Sequence, residues 1–149
     1  GSPTVPMNAM PPSKARHNLL DMQRWADLWE VPFKFPNGHP RRSVHCMRTI
    51  LASGDAGVDV MHALYKAYWV DEKDVAQPDV VAQVLTQAGL NPDWSTQATE
   101  QTIKDELRER TAEAVSRGVF GVPTCIVDGE LFWGQDRMDF VEAALKAAA

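Results

Sequence analysis

The chain has 149 residues, 44% of them hydrophobic and 23% charged, a profile that supports one ordinary soluble core without metal or disulfide staples. Fifteen basic residues against twenty acidic ones give a formal charge of -5 with no concentrated run of Lys and Arg, which argues against nucleic acid or an anionic membrane as partner. No apolar stretch approaches the roughly 20 residues of a membrane span, and Cys46 and Cys125 form neither a CxxC nor a disulfide framework, so a reducing cytoplasm fits.

Pro3, Pro6, Pro11 and Pro12 make residues 1–13 an extended leader, since proline cannot continue a helix or a central strand. Ser13 can cap a helix over 14–30, where Leu20, Trp25, Leu28 and Trp29 fall near helical spacing before Pro32 and Pro36 stop it. Residues 31–35 are the one weak strand candidate in the first 118, and Pro32 counts against it. After Pro40, residues 41–52 place Val44, Met47, Ile50 and Leu51 along one face, and Gly54 ends this second helix. Residues 58–69 and 78–88 predict two more helices, the latter closed by Gly89, and 91–93 predict a turn. Residues 99–117 read as a long half-exposed helix ending at Gly118.

The tail changes character. Thr124 to Val127 is a β-branched run, Asp128-Gly129 is a strong two-residue hairpin turn, and Glu130 to Trp133 is the returning strand. Gly134 then leads into a helix over 136–147 with Met138, Phe140, Val141, Ala144 and Leu145 on one face. An isolated hairpin is marginally stable, so either strands from outside the chain complete its sheet or it packs on helices alone.

The block Gly118-Val119-Phe120-Gly121-Val122-Pro123-Thr124, then Ile126-Val127-Asp128-Gly129 and Leu131 to Arg137, resembles the 2-hydroxychromene-2-carboxylate isomerases, which group with the kappa-class glutathione transferases in the DsbA-like branch of the thioredoxin superfamily. Upstream, Lys14, Asp21 to Ala26, Pro32-Phe33, Phe35-Pro36 and Ala67-Tyr68-Trp69 look like that family's helical insertion. The resemblance implies an α/β thioredoxin-like fold of the DsbA/kappa type with a large helical insertion, this chain being mostly α with a C-terminal β-hairpin and helix. It divides the chain into the leader 1–13, a helical insertion domain over 14–118 and a strand-strand-helix part over 119–149. It also implies a leading strand-helix-strand unit, roughly 30 residues or more, that these residues lack. That unit carries the family's catalytic serine, so the catalytic residue is unassigned in this chain.

The resemblance implies glutathione as cofactor. Val122-Pro123 resembles the family's cis-proline dipeptide, whose exposed backbone at Val122 would pair with the cysteinyl unit of the extended tripeptide. On the residues alone, Pro123 reads as a trans proline that opens an edge strand. In the family the Gly134 to Arg137 turn receives the γ-glutamyl end, so Gln135 would bind its carboxylate and Asp136 its ammonium. By itself Asp136 reads as a helix cap. Kappa transferases commonly have Ser at the position of Gln135, which favours the isomerases. Lys14 matches a family lysine that reaches a glutathione carboxylate, though alone it is a solvated lysine, and Ser2 stands where the family usually has Asn. Arg41 and Arg42 read as a solvated pair, with a substrate carboxylate as the alternative partner.

His17, His39, His45 and His62 show no metal-ligand spacing, and Cys46 and Cys125 read as buried inert thiols. The five tryptophans read as core or interface. The activity implied is glutathione-dependent interconversion of 2-hydroxychromene-2-carboxylate and trans-o-hydroxybenzylidenepyruvate, with a small aromatic carboxylate as substrate and a homodimer as the assembly. Two alternatives stay open: a truncated, non-catalytic remnant of that fold, or a DsbA-like thiol-disulfide oxidoreductase.

Overall fold

Proline's fixed φ and missing N–H suit the first position of a helix, and Pro12 takes that place. Helix α1 runs Pro12–Leu28 in the computed structural model, which describes residues 10–148. The expected start at Lys14 with a Ser13 cap is corrected, because Pro11 stands in the cap position and no side chain caps the helix. Ser2 lies outside the described residues.

The described chain divides into two compact units, residues 10–107 and 108–148. In the first, α2 (Val44–Ala52), α3 (Gly57–Trp69), α4 (Pro78–Gln87) and α5 (Asp93–Gln97) surround one core. Val60 and Leu64 from α3, Val81, Val84 and Leu85 from α4 and Cys46 from α2 fill it. Each such large aliphatic contributes about 1.5–3 kcal/mol by leaving water. By contrast α1 buries no residue, and Trp25, Leu28 and Trp29 are all exposed.

Three expectations in this unit are corrected. Helix α2 begins at Val44 rather than at residue 41, since the Arg41 guanidinium is engaged in the preceding loop by Asp74 at 3.1 Å and the Asn37 carbonyl at 3.2 Å. Residues 31–35 form no strand; the Lys34 amide donates instead to the Trp69 carbonyl at the end of α3, at 2.6 Å. Beyond Asn91, whose Oδ1 accepts from the Asp93 amide at 2.9 Å, the chain turns as expected but then forms α5, a short helix held by tertiary contacts.

Helix α6 (Gln101–Ser116) leads to Gly118, whose φ of 85° ends it in the left-handed conformation that glycine adopts freely. Strands β1 (Thr124–Val127) and β2 (Glu130–Trp133) pair antiparallel from Thr124↔Trp133 to Val127↔Glu130. Asp128 and Gly129 both have positive φ, as a two-residue turn matched to strand twist requires. This hairpin is the one sheet among the described residues. Helix α7 (Met138–Ala148) packs on β1 and buries Val141. The helix expected from Asp136 starts later, because Gln135–Arg137 winds as a tighter 3₁₀ turn first.

Candidate functional site

The 108–148 unit gathers four of the expected site residues at one end of its hairpin. The Val122–Pro123 peptide is cis. It immediately precedes β1, while Gly134 immediately follows β2, and the Gly134 amide donates to the Pro123 carbonyl at 3.0 Å. One hydrogen bond thus ties the Val122-Pro123 loop to the turn that carries Gln135 and Asp136. Thr124 Oγ1 donates to the Gly121 carbonyl at 2.6 Å and steadies the loop from within.

Both glycines of this end lie close against a neighbouring side chain. At Gly121 a Cβ would lie 2.7 Å from Trp133 Nε1, so only hydrogen lets the loop lie against the indole. At Gly134 a Cβ would meet Asp136 Oδ1 at 2.6 Å, and φ is 115°. Phe120 and Trp133 pair at 5.2 Å between ring centroids, forming an exposed aromatic shelf beside the loop.

Val122 is 86% exposed, and among the described residues no hydrogen bond engages its backbone. An unpaired N–H and C=O on an exposed loop residue is what a strand-like peptide ligand needs to pair with. Gln135 and Asp136 are exposed as well, and Asp136 Oδ2 pairs with Arg137 at 2.7 Å. Asp136 therefore shows an ion pair rather than the side-chain cap that its sequence position alone predicts. The turn offers an amide, a carboxylate and a guanidinium within three consecutive residues, a set able to take both ends of an α-amino acid.

Lys14 is exposed on α1, in the 10–107 unit. In that unit Phe33 stacks on Trp69 at 5.7 Å, and Phe35 and His39 approach the same indole at 6.2 and 5.3 Å. His39 Nδ1 lies 2.7 Å from the Tyr68 hydroxyl, and burial holds the imidazole below its usual pKa. Beside this cluster an apolar groove of about 650 Å³ runs between Val31, Pro32 and Phe33 on one side and Tyr65 and Trp69 on the other.

Residues 2–146 match the DSBA-like thioredoxin domain. The chain belongs to that family. It is 29% identical to a 2-hydroxychromene-2-carboxylate isomerase of Sphingobium xenophagum over 94% of its own length and 72% of the relative's. It is 25% identical to glutathione S-transferase kappa 1 of Rattus norvegicus, covering 89% of this chain and 66% of that protein. A solved structure of a 2-hydroxychromene-2-carboxylate isomerase superposes with a TM-score of 0.75 at 25% identity, over 95% of this chain and 73% of that one. The DsbA-like thioredoxin fold, mostly helical with a two-stranded antiparallel sheet and a C-terminal helix, is as the resemblance implies.

The thiols divide. Cys46 is buried, its Sγ donates to the Val75 carbonyl at 3.2 Å, and burial pushes its pKa up to about 11. Cys125 is only half-buried, which corrects the expectation of a buried thiol: among the described residues β1 has α7 against it and no further strand beside it. No cluster of His, Cys, Asp and Glu able to hold a metal occurs among the described residues, and no helix there is long and apolar enough to cross a membrane. His45 Nε2 lies 2.9 Å from Ser95 Oγ, a link between residues 50 positions apart that no local motif announces. The only local signal was the spacing of Arg42, His45 and Arg48.

Proposed function

We propose that the protein is a glutathione-dependent isomerase acting on a hydroxychromene carboxylate and its benzylidenepyruvate partner in a reducing cytoplasm, as a homodimer. The observation that carries the reading is the hydrogen bond from Gly134 to Pro123, which joins an unpaired backbone edge to a turn of complementary charge. Glutathione is an extended tripeptide with an α-amino acid at one end, so it has a group for each. In this reading Val122 N–H and C=O hold the cysteinyl unit, Gln135 orients the γ-glutamyl carboxylate and Asp136 takes the ammonium. The resemblance adds Lys14, and Ser2, to the same ligand.

Bound glutathione would supply a thiolate that adds reversibly to the substrate's conjugated double bond and so permits rotation about it. The residues of this chain would contribute binding and positioning, which convert an encounter in solution into a reaction of held partners. None of them is assigned the activation of the thiol. The isomerase names among the relatives favour this substrate class, and the chain spans only 66–72% of the two curated relatives compared.

The reading is tested with the full-length protein by calorimetric titration with reduced glutathione, followed by ultraviolet absorbance of the two isomers with and without it. Saturable binding that weakens about tenfold in Asp136→Asn and Lys14→Ala, together with glutathione-dependent interconversion, is expected. Absence of saturable binding sinks the cofactor assignment. Binding without interconversion would leave a glutathione-binding protein of other activity, and oxidation or reduction of a dithiol substrate would favour an oxidoreductase.

A further inference from the structure

Arg42, His45 and Arg48 recur every three residues through the turn entering α2 and along the helix, a spacing that keeps side chains on one side. They line a cavity of about 230 Å³ in the 10–107 unit, with Val44 and Ala76 completing the wall. Both arginines are permanently charged. Among the described residues neither has an ion-pair or hydrogen-bond partner, and the Nε of Arg48 is fully buried without an acceptor. A buried guanidinium donor is costly to leave unmet, and protein structures rarely do so. The neighbouring acid, Asp74, already holds Arg41 at 3.1 Å.

His45 adds a third polar group whose tautomer can be derived. The single hydroxyl hydrogen of Ser95 goes to the Pro78 carbonyl at 2.8 Å, so Ser95 Oγ must accept from His45 Nε2 at 2.9 Å. That leaves Nδ1 as the unprotonated nitrogen of the neutral ring. Burial, and secondarily the charge of Arg48, hold this imidazole below its usual pKa. At neutral pH the wall therefore presents two full positive charges and one neutral ring.

We infer that this cavity is a binding site for a phosphate-type oxyanion. A dianion matches the two guanidinium charges, whereas a single carboxylate leaves one of them unmatched. Guanidinium forks offer parallel N–H donors to tetrahedral oxygens, and among the described residues neither fork has an acid of the chain competing for it. Protonation of His45 at Nδ1 would add a further donor once an anion offsets Arg48. Free phosphate and the phosphate of a monoester present the same group to this wall. The inference does not depend on glutathione binding by the other unit.

The test titrates the full chain at fixed ionic strength with inorganic phosphate, phenyl phosphate and benzoate, by calorimetry and by the Arg48 Nε–H resonance. Saturable phosphate binding that moves this resonance is expected, weakened about tenfold or more in both Arg48→Gln and Arg42→Gln, with benzoate at least about tenfold weaker. Tighter binding of phenyl phosphate assigns the site to a monoester, and equal or weaker binding to free phosphate. Arg42 is exposed and lies outside the helix, so its variant keeps the test decisive if Arg48→Gln unfolds. A response that never saturates, one unchanged in Arg42→Gln, or benzoate binding as tightly as phosphate overturns the inference.

Discussion

Replacing Gly134 by alanine perturbs the one residue that joins the Val122-Pro123 loop to the Gln135–Arg137 turn. Its φ of 115° and ψ of 148° lie in a region nearly reserved for glycine, where other residues carry about 1–3 kcal/mol of strain. The added Cβ would also sit 2.6 Å from Asp136 Oδ1. That oxygen ends a flexible side chain and can swing away, at the cost of the 2.7 Å pairing of Asp136 with Arg137. Because both partners are about half exposed, the lost pair adds at most about 1 kcal/mol. Gly134→Ala should therefore destabilise the hairpin unit by about 1–4 kcal/mol. Two further variants separate the contributions. Gly129 has a φ of 84° and open space around it, so Gly129→Ala should show backbone strain alone, about 1 kcal/mol. Gly121 has no such φ but would place a Cβ 2.7 Å from Trp133 Nε1, so Gly121→Ala should move the indole and shift its fluorescence. Amide exchange across β1 and β2 reads the opening free energy of the unit directly. A Gly134→Ala effect below about 0.5 kcal/mol, or one smaller than that of Gly129→Ala, would refute the assignment of strain to this turn.

Other consequences are accessible in the 10–107 unit. Leu85 is fully buried among α3 and α4 side chains, so Leu85→Ala should cost about 2–5 kcal/mol by denaturant unfolding with little change in the surface exposed. Cys46, with its pKa raised to about 11, should resist alkylation by iodoacetamide at pH 8 in the native state and react once the chain is unfolded in denaturant. His45 is held neutral in the folded state, so the unfolded chain binds its proton more readily. Stability should accordingly be full above about pH 6.5 and fall as the pH drops through the lowered folded-state pKa, and His45→Gln should flatten that fall in a pH series of thermal melts.

The parts of the fold legible in the sequence are those fixed by neighbours along the chain. Asp128-Gly129 sets the hairpin register because both turn positions need positive φ, and the observed pairing runs from Thr124 to Trp133 around it. Pro78 and Gly89 bracket α4 for equally local reasons, a preset φ at one end and a left-handed residue at the other. Helix α5 was missed because its five residues carry no apolar period of their own. It is held from outside, by Ser95 Oγ on the Pro78 carbonyl and by His45 on Ser95. Helix α1 shows the opposite failure: its apolar residues have helical spacing, yet none is buried among the described residues.

The two candidate sites differ in the same way. The turn from Gly134 to Arg137 lies within four consecutive residues, and its hydrogen bond to Pro123 follows almost automatically from the hairpin, since Pro123 and Gly134 flank the terminal pair Thr124↔Trp133. A local motif there implies a local geometry. The basic cavity has only half of that legibility: the spacing of Arg42, His45 and Arg48 is visible along the chain, but spacing alone equally describes a solvated helix face. What converts it into a site is the cavity these side chains line and the fixing of His45 by Ser95, 50 residues away. The second depends on how α5 packs against α2. Unmet charge in a partly enclosed space is thus a property of the packing, and Arg48→Lys gives it a sharp test. Lysine keeps the charge but presents no fixed fork, so phosphate binding should fall despite an unchanged net charge.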